Sequence, residues 1–335
     1  MDSVVANILS WINRSVVFGT VVMYGALGET LTEKSGNLNL GTPGVMCIGG
    51  AFGFGFAYIY ETTAASPKPS VVIMIALAAA LIASALAGFL YCFLTTTLRA
   101  NQNVTGLALT IFGSGLAKFF GMYIIPSNTT SVKATFANSV FSKRLPFAQS
   151  LGAFGTIFLN YGFMMILAII IAIVMTFFLN KTKAGLNLRA VGENPAAADV
   201  DGVSVAFNKY IATIIGSAIS GLGGVYYILD YNYGGWSTAA ASSIESLGWL
   251  AVALVIFAAW KPINLIWGSY LFGICYWVFT YISVFGILVN SSQSSLLEAT
   301  PYIVTIIVLI LASIRKGHNN NPPESLGVPY FREDR

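Results

Sequence analysis

The chain has 335 residues, 56% of them hydrophobic and 9% charged, with a formal net charge of +4. A water-facing surface needs roughly 25–35% charged residues, so these proportions exclude a string of soluble domains and point to a polytopic membrane protein. Four surplus positive charges spread over the whole length make no basic patch for nucleic acid polymers.

In chain order, apolar stretches long enough to cross hydrocarbon are expected near 15–31, 38–60, 71–95, 102–125, 151–179, 210–230, 246–260, 263–287 and 299–314. The fold class is therefore an all-α membrane protein of about nine transmembrane segments, with a membrane domain over 1–314 and a polar tail over 315–335. Between the spans lie a short loop, 61–70, closed by Pro67 and Pro69, and a loop at 126–150 rich in Ser, Thr and Asn. A charged loop follows at 181–209. Lys181, Lys183, Arg189, Lys209, Lys261, Arg315 and Lys316 place that loop and the tail in the cytoplasm. Arg99 agrees, whereas Lys143 and Arg144 fall on the other side, and strict parity leaves the N-terminus outside.

The first irregular stretch is Ser35-Gly36-Asn37-Leu38-Asn39-Leu40-Gly41-Thr42-Pro43-Gly44. Three glycines, a proline and two asparagines break any continuous helix and free backbone groups that lipid cannot satisfy. A broken helix near 36–44 suits a polar ligand in a transporter. Thr42 and Pro43 equally suit the cap and first residue of a new helix after a turn. The fourth span opens on Asn101-Gln102-Asn103 and Thr105, amides that need partners on other helices or on a ligand. Gly113, Ala117 and Gly121 share one helix face, and Gly216, Ser220 and Gly224 another, as close helix packing in lipid requires.

Charges beside the spans are Glu29, Lys118, Asp230, Glu245 and Glu298. All but Lys118 lie near expected span ends, within reach of the interface, so a carboxylate relay for ion coupling is weakly supported. The one histidine, His318, stands in the tail, and Cys47, Cys92 and Cys275 sit in apolar runs without metal-ligand spacing. Buried structural thiols are expected, with no metal site. No G-x-x-x-x-G-K-[ST] stretch occurs, so hydrolysis of nucleotide by this chain through a P-loop is excluded.

Within the charged loop, Asn194 is a good N-cap, Pro195 suits the first helical position, Ala196 to Ala198 propagate, and Gly202 suits a left-handed stop. A helix of about two turns is too short to stand alone in water. It must dock against something, which suggests a partner ATPase.

Gly185-Leu-Asn-Leu-Arg189-Ala-Val-Gly192-Glu193-Asn194-Pro195-Ala-Ala-Ala-Asp199, with Gly202 shortly after, resembles the cytoplasmic coupling segment of ABC importer permeases. The branch it resembles is the simple-sugar and nucleoside branch, served by BMP-type lipoproteins. Gly28 to Gly44, Ala100 to Gly106, Gly248-Trp249 with Trp260-Lys261-Pro262, and Pro322 to Glu333 resemble the same family. One stretch departs from it: the family commonly has Asn-Ile-Gly-Leu-Glu-Gly where this chain has Asn39-Leu-Gly-Thr-Pro-Gly44.

The resemblance implies a multi-pass permease subunit of the bacterial cytoplasmic membrane, with a cytoplasmic C-terminus and no enzymatic activity or bound cofactor of its own. Its partners would be an ABC ATPase subunit carrying ATP and magnesium, a second related permease, and a lipid-anchored substrate-binding protein. Gly185, Arg189, Gly192, Glu193, Asn194, Pro195, Asp199 and Gly202 would couple to the ATPase. The solute would be a nucleoside, with Asn37, Asn39, Asn101, Asn103, Tyr233 and Trp236 as candidate pathway residues. Tyr233 and Trp236 equally suit an interfacial aromatic belt. The alternatives are a simple sugar carried by the same class of importer, or an ion-coupled secondary transporter of small solutes.

Overall fold

The computed structural model describes residues 2–125, 129–144, 155, 160–281, 290, 300, 303–304, 306–307, 310 and 321–331. Within them run α1 (Asp2–Glu33), α2 (Thr42–Thr63), α3 (Pro69–Cys92) with a π-turn over Phe93–Thr97, and α4 (Gln102–Ile124). A short α5 (Thr135–Phe141) precedes α6 (Phe163–Lys181), α7 (Lys183–Glu193) and α8 (Pro195–Val200). Then come α9 (Val205–Tyr226), prolonged by a π-turn over Tyr227–Tyr231, α10 (Thr238–Phe257) and α11 (Pro262–Tyr281). Two dipeptide strands, β1 (Val132–Lys133) and β2 (Gly235–Trp236), pair antiparallel with Val132 opposite Trp236.

Among the described residues seven helices are long and apolar enough to cross a membrane: Ala6–Glu33, Thr42–Thr63, Pro69–Thr97, Gln102–Ile124, Phe163–Lys181, Val205–Tyr231 and Thr238–Phe257. The fold is thus all-α and polytopic. Most of the expected span 299–314, the start of 151–179, and Glu298, Arg315, Lys316 and His318 lie outside the described residues.

Small residues set the packing, because in lipid only close backbone approach and interhelical bonding draw helices together. At the crossing of α1 and α9 a Cβ on Gly28 would strike the Gly216 carbonyl, and one on Gly216 the Gly28 carbonyl. Ser220 of α9 donates to the Gly25 carbonyl at 3.2 Å, and Gly224 lies on the backbone of Met46 and Gly50 in α2. Gly113 of α4 sits on Gly44, and Gly121 beneath the Trp236 indole. Both small-residue faces read from the sequence are therefore packing faces. The outer helices α3, α4 and α6 expose Met74, Ile82, Ile111, Phe119, Val174 and Phe177, as a lipid-facing surface would.

The structure corrects three expectations. The loop at 181–209 is mostly helical, since α7 precedes the short helix. Glu29 does not reach an interface: it is 0% exposed, enclosed where α1 meets α2, and its carboxylate accepts from the Thr42 hydroxyl. Asp230 is half-buried near the end of its span, as expected, whereas Glu245 stands about two turns inside Thr238–Phe257, where its carboxylate accepts from the Ser114 hydroxyl at 2.6 Å. Cys47 and Cys92 are buried free thiols.

Candidate coupling surface

The helix break lies between two separate helices. After Glu33 the chain turns through Gly36 at φ +85°, runs extended, and enters α2 with Gly41 as cap and Pro43 in the first turn. Several of the freed groups have protein partners. The Leu38 N–H donates to Gln102 Oε1 at 2.7 Å, the Tyr91 hydroxyl donates to the Leu38 carbonyl, and the Thr110 hydroxyl donates to the Leu40 carbonyl at 2.8 Å. The alternative of a turn with Thr42 and Pro43 opening the next helix is the one realised. Side chains of α3 and α4 supply these partners, as backbone freed at membrane depth requires.

That arrangement uses the candidate amides internally. Asn37 donates to Thr213 Oγ1 at 3.1 Å, leaving its buried Oδ1 without a partner. Asn39 Oδ1 accepts from the Gly41 N–H at 3.0 Å. Asn101 is the N-cap of α4, accepting from the Val104 N–H at 3.1 Å, and Asn103 is exposed. Tyr233 and Trp236 follow the far end of α9. Tyr233 is 61% exposed, whereas Trp236 is 1% exposed and stacks on Phe54 with centroids 5.7 Å apart, away from any surface belt. The six residues therefore fall into two groups at opposite ends of α9, and the structure does not bring them together. Gln102, named in the sequence only as one amide of a cluster needing partners, is the buried acceptor that holds the connector. Sequence reasoning passed over Glu33, which accepts from Trp260 Nε1. The only signal for Gln102 was its position inside the Asn-Gln-Asn cluster.

The proposed coupling residues do form one structure. Thr182 caps α7 by accepting from the Gly185 N–H at 3.0 Å, and Gly185 lies flush on the Phe178 carbonyl, so α7 folds back against the end of α6. Gly192 lies flush on the Lys34 carbonyl. Asn194 Oδ1 then accepts from the Ala197 N–H at 2.9 Å, Pro195 opens α8, and Gly202 stops it at φ +80°. The helix has six residues, shorter than expected. Ala198 is its one buried position, clustered with Val191 and Val205 and covered by Val203 and Tyr330.

Residues 321–331 strap this elbow to the connector. Ser325 donates to the Gly192 carbonyl from its N–H at 3.0 Å and from its hydroxyl at 2.6 Å. Gly327 N–H donates to the Gly36 carbonyl at 3.3 Å, and the Tyr330 hydroxyl to Asp199 Oδ2 at 2.9 Å. Lys34, Arg189, Glu193 and Lys261 line a cavity of about 600 Å³ beside it. Burial there lowers the Lys34 pKa, the repulsion of Arg189 and Lys261 adds to this, and Glu193 opposes it. Glu193, Asn194, Ala196, Ala197 and Asp201 remain exposed, and Val200 is 71% exposed. The elbow is thus anchored on its inner side and exposed on its outer side.

A family model described as branched-chain amino acid transport system / permease component matches residues 10–313. The chain belongs to this permease family. It is 31% identical, over 91% of its own length and 92% of the relative's, to the putative glucose ABC transporter permease protein TsgC13 of Haloferax volcanii. It is 30% identical to the guanosine ABC transporter permease protein NupQ of Bacillus subtilis over 96% of each chain. With the nucleoside ABC transporter permease protein NupC of Lactococcus lactis it shares 29% identity over 93% of its length and 92% of the relative's. In each of these two bacteria a second permease protein, NupP and NupB respectively, also matches part of the chain. No solved structure matches it. The chain is an ABC transporter permease of the simple-sugar and nucleoside branch, a membrane-embedded transport component.

Proposed function

We propose that this permease is one of two membrane subunits forming the pathway of an ATP-driven importer for nucleosides, and that α8 is where a separate ATPase pushes. The α7–α8 elbow carries the reading: a capped helix, bare outside, whose inner side packs on the α1–α2 connector at Gly192 and bonds to the 321–331 strap. Displacement of α8 then moves Lys34 to Gly36, and with them the ends of α1 and α2. ATP and magnesium reside on the ATPase, and this chain supplies a two-state element that their cycle biases. The basic residues at this end support a cytoplasmic position for it. Guanosine and nucleoside permeases at about 30% identity support the solute class, and the occurrence of two matching permeases in each of those bacteria supports a heterodimer. A lipid-anchored binding protein would deliver the solute.

A simple sugar is the second reading, favoured by the glucose-named relative. Reconstituting the chain with its co-purifying permease, ATPase and binding protein separates the two. ATP-dependent accumulation of labelled guanosine, unaffected by excess glucose, is expected. Glucose accumulation would reverse the choice of solute, and accumulation by this chain alone on an ion gradient would reject the class.

A further inference from the structure

We propose that the pocket between α9, α8, the π-turn after α3 and the 321–331 strap is a binding site for a phosphate-type anion. It is about 260 Å³ in volume and is lined by Thr95, Thr96, Arg99, Ser204, Lys209 and Tyr330, among others. Lys209 is only 3% exposed, lines the pocket, and has no hydrogen-bonding or ion-pairing partner among the described residues. A buried ammonium without a counter-charge is costly, and such groups are ordinarily paired. Here the missing partner is an anion in the pocket that Lys209 faces.

The other walls fit the same ligand. Val205 and Ala206 line the pocket and open α9, a 22-residue helix capped by Ser204, so the N–H groups of its first turn and its positive dipole end face the cavity. Arg99, held at φ +59°, brings a second cation and lies with its guanidinium 4.7 Å above the Phe331 ring. Thr95 and Thr96 line the pocket as polar wall: the Thr95 hydroxyl donates to the Tyr91 carbonyl at 2.9 Å and Thr96 Oγ1 lies 3.3 Å from Cys92 Sγ, so the donors left to an anion are the two cations and the start of α9. The one carboxylate in the wall is Asp199, which the Tyr330 hydroxyl engages at 2.9 Å. Two cations and a helix N-terminus against one engaged carboxylate make a cradle for a tetrahedral oxyanion. The site touches the elbow, the strap and the α3–α4 turn together, so occupancy would tie the three.

The phosphate can come from a lipid headgroup or from free inorganic phosphate, and the test separates these. Full-length protein is placed in nanodiscs of phosphatidylcholine alone or with phosphatidic acid, and its thermal midpoint is followed while inorganic phosphate is titrated. A saturable rise in phosphatidylcholine discs marks a free-anion site. A rise brought by phosphatidic acid, with no further response to phosphate, marks a headgroup site. Lys209→Met should weaken either response by about tenfold to a hundredfold, the value of one charge-assisted bond, and Lys209→Arg should retain most of it. Should Lys209→Met fail to fold, exposed Arg99→Gln serves the same purpose with a smaller loss. The proposal is overturned if neither phosphate nor phosphatidic acid shifts the wild-type midpoint. It is overturned equally if folded Lys209→Met and Arg99→Gln respond as the wild type does.

Discussion

Gly192→Ala is the substitution that most directly probes how the elbow is joined to the membrane helices. The added methyl would be driven into the Lys34 carbonyl, with the Lys34 carbonyl carbon at 3.1 Å and the Gly36 nitrogen at 3.4 Å. That backbone cannot yield easily, since Lys34 N–H is bonded to the Thr30 carbonyl at 3.0 Å and Gly36 N–H to the Glu33 carbonyl at 2.9 Å. Overpacking of this kind costs about 1–3 kcal/mol. A shift of the Gly192 carbonyl also lengthens both bonds from Ser325, each worth about 1 kcal/mol. A combined loss of about 2–4 kcal/mol lowers the docked population of the elbow by roughly thirtyfold to several hundredfold. Hydrogen exchange of reconstituted protein should therefore quicken over 183–200 and 321–331, with substrate uptake reduced and the membrane helices unchanged. Gly115→Ala is the internal control: nothing lies within 4 Å of its added Cβ, and on α4 it should gain about 0.5–1 kcal/mol from helix propensity. If Gly192→Ala exchanges and transports like the wild type, the elbow is not seated through this contact and the mechanical reading fails.

Asn194→Ala removes the acceptor for the Ala197 N–H and should weaken α8 by about 1 kcal/mol, visible as faster exchange confined to 195–200. Gln102→Ala strands the Leu38 N–H of the connector, a loss of about 1–3 kcal/mol that should lower the thermal midpoint and open the 34–41 segment to protease. The lowered Lys34 pKa has a pH signature. In the unfolded chain this lysine holds its proton up to the ordinary value of 10.5, while in the fold it releases the proton at a lower pH. The unfolded state thus binds more protons between the two values, and stability rises with pH across that window. Lys34→Met should flatten that rise in a midpoint-versus-pH series.

What could be read from the chain beforehand follows from how local each signal is. The capping of α8 by Asn194, the placement of Pro195 and the stop at Gly202 depend on neighbouring residues only, and all three were legible. So were the small-residue faces, whose period belongs to a single helix. The elbow's attachment was not legible, because it joins Gly192 to Lys34 and Ser325, far apart in the chain. The four asparagines looked like ligand contacts because amides near hydrocarbon need partners. The sequence could not say that three of them find those partners within the protein: Asn37 on Thr213, Asn39 on the Gly41 N–H and Asn101 on the Val104 N–H. Helix α7 was missed for a related reason. Its two glycines and its polar residues suggest a loop, and only close seating of Gly185 on Phe178 and Gly192 on Lys34 makes that composition favourable.

Glu29 shows the same limit from the other direction. Counted along the chain it stands near a helix end, where a carboxylate should reach water, yet the fold closes over it and offers one donor, the Thr42 hydroxyl, while Oε1 is left with none. Thr42 begins α2 one residue before Pro43, at the stretch where the chain departs from the family's pattern by having no glutamate. A carboxylate therefore does stand at the start of α2, delivered from α1. The two side chains should therefore be interdependent, and a double-mutant cycle measures it. Thr42→Val removes the hydroxyl that donates to the buried Glu29 side chain and should cost about 1–3 kcal/mol. Glu29→Leu alone leaves the Thr42 hydroxyl, which still has the Asn39 carbonyl as acceptor at 3.4 Å, and is the less costly change. The pair together should lose clearly less than the sum, with a coupling on the order of 1 kcal/mol or more. Additive losses would mean that Glu29 is held by the packing of α1 and not by its bond to the helix it meets.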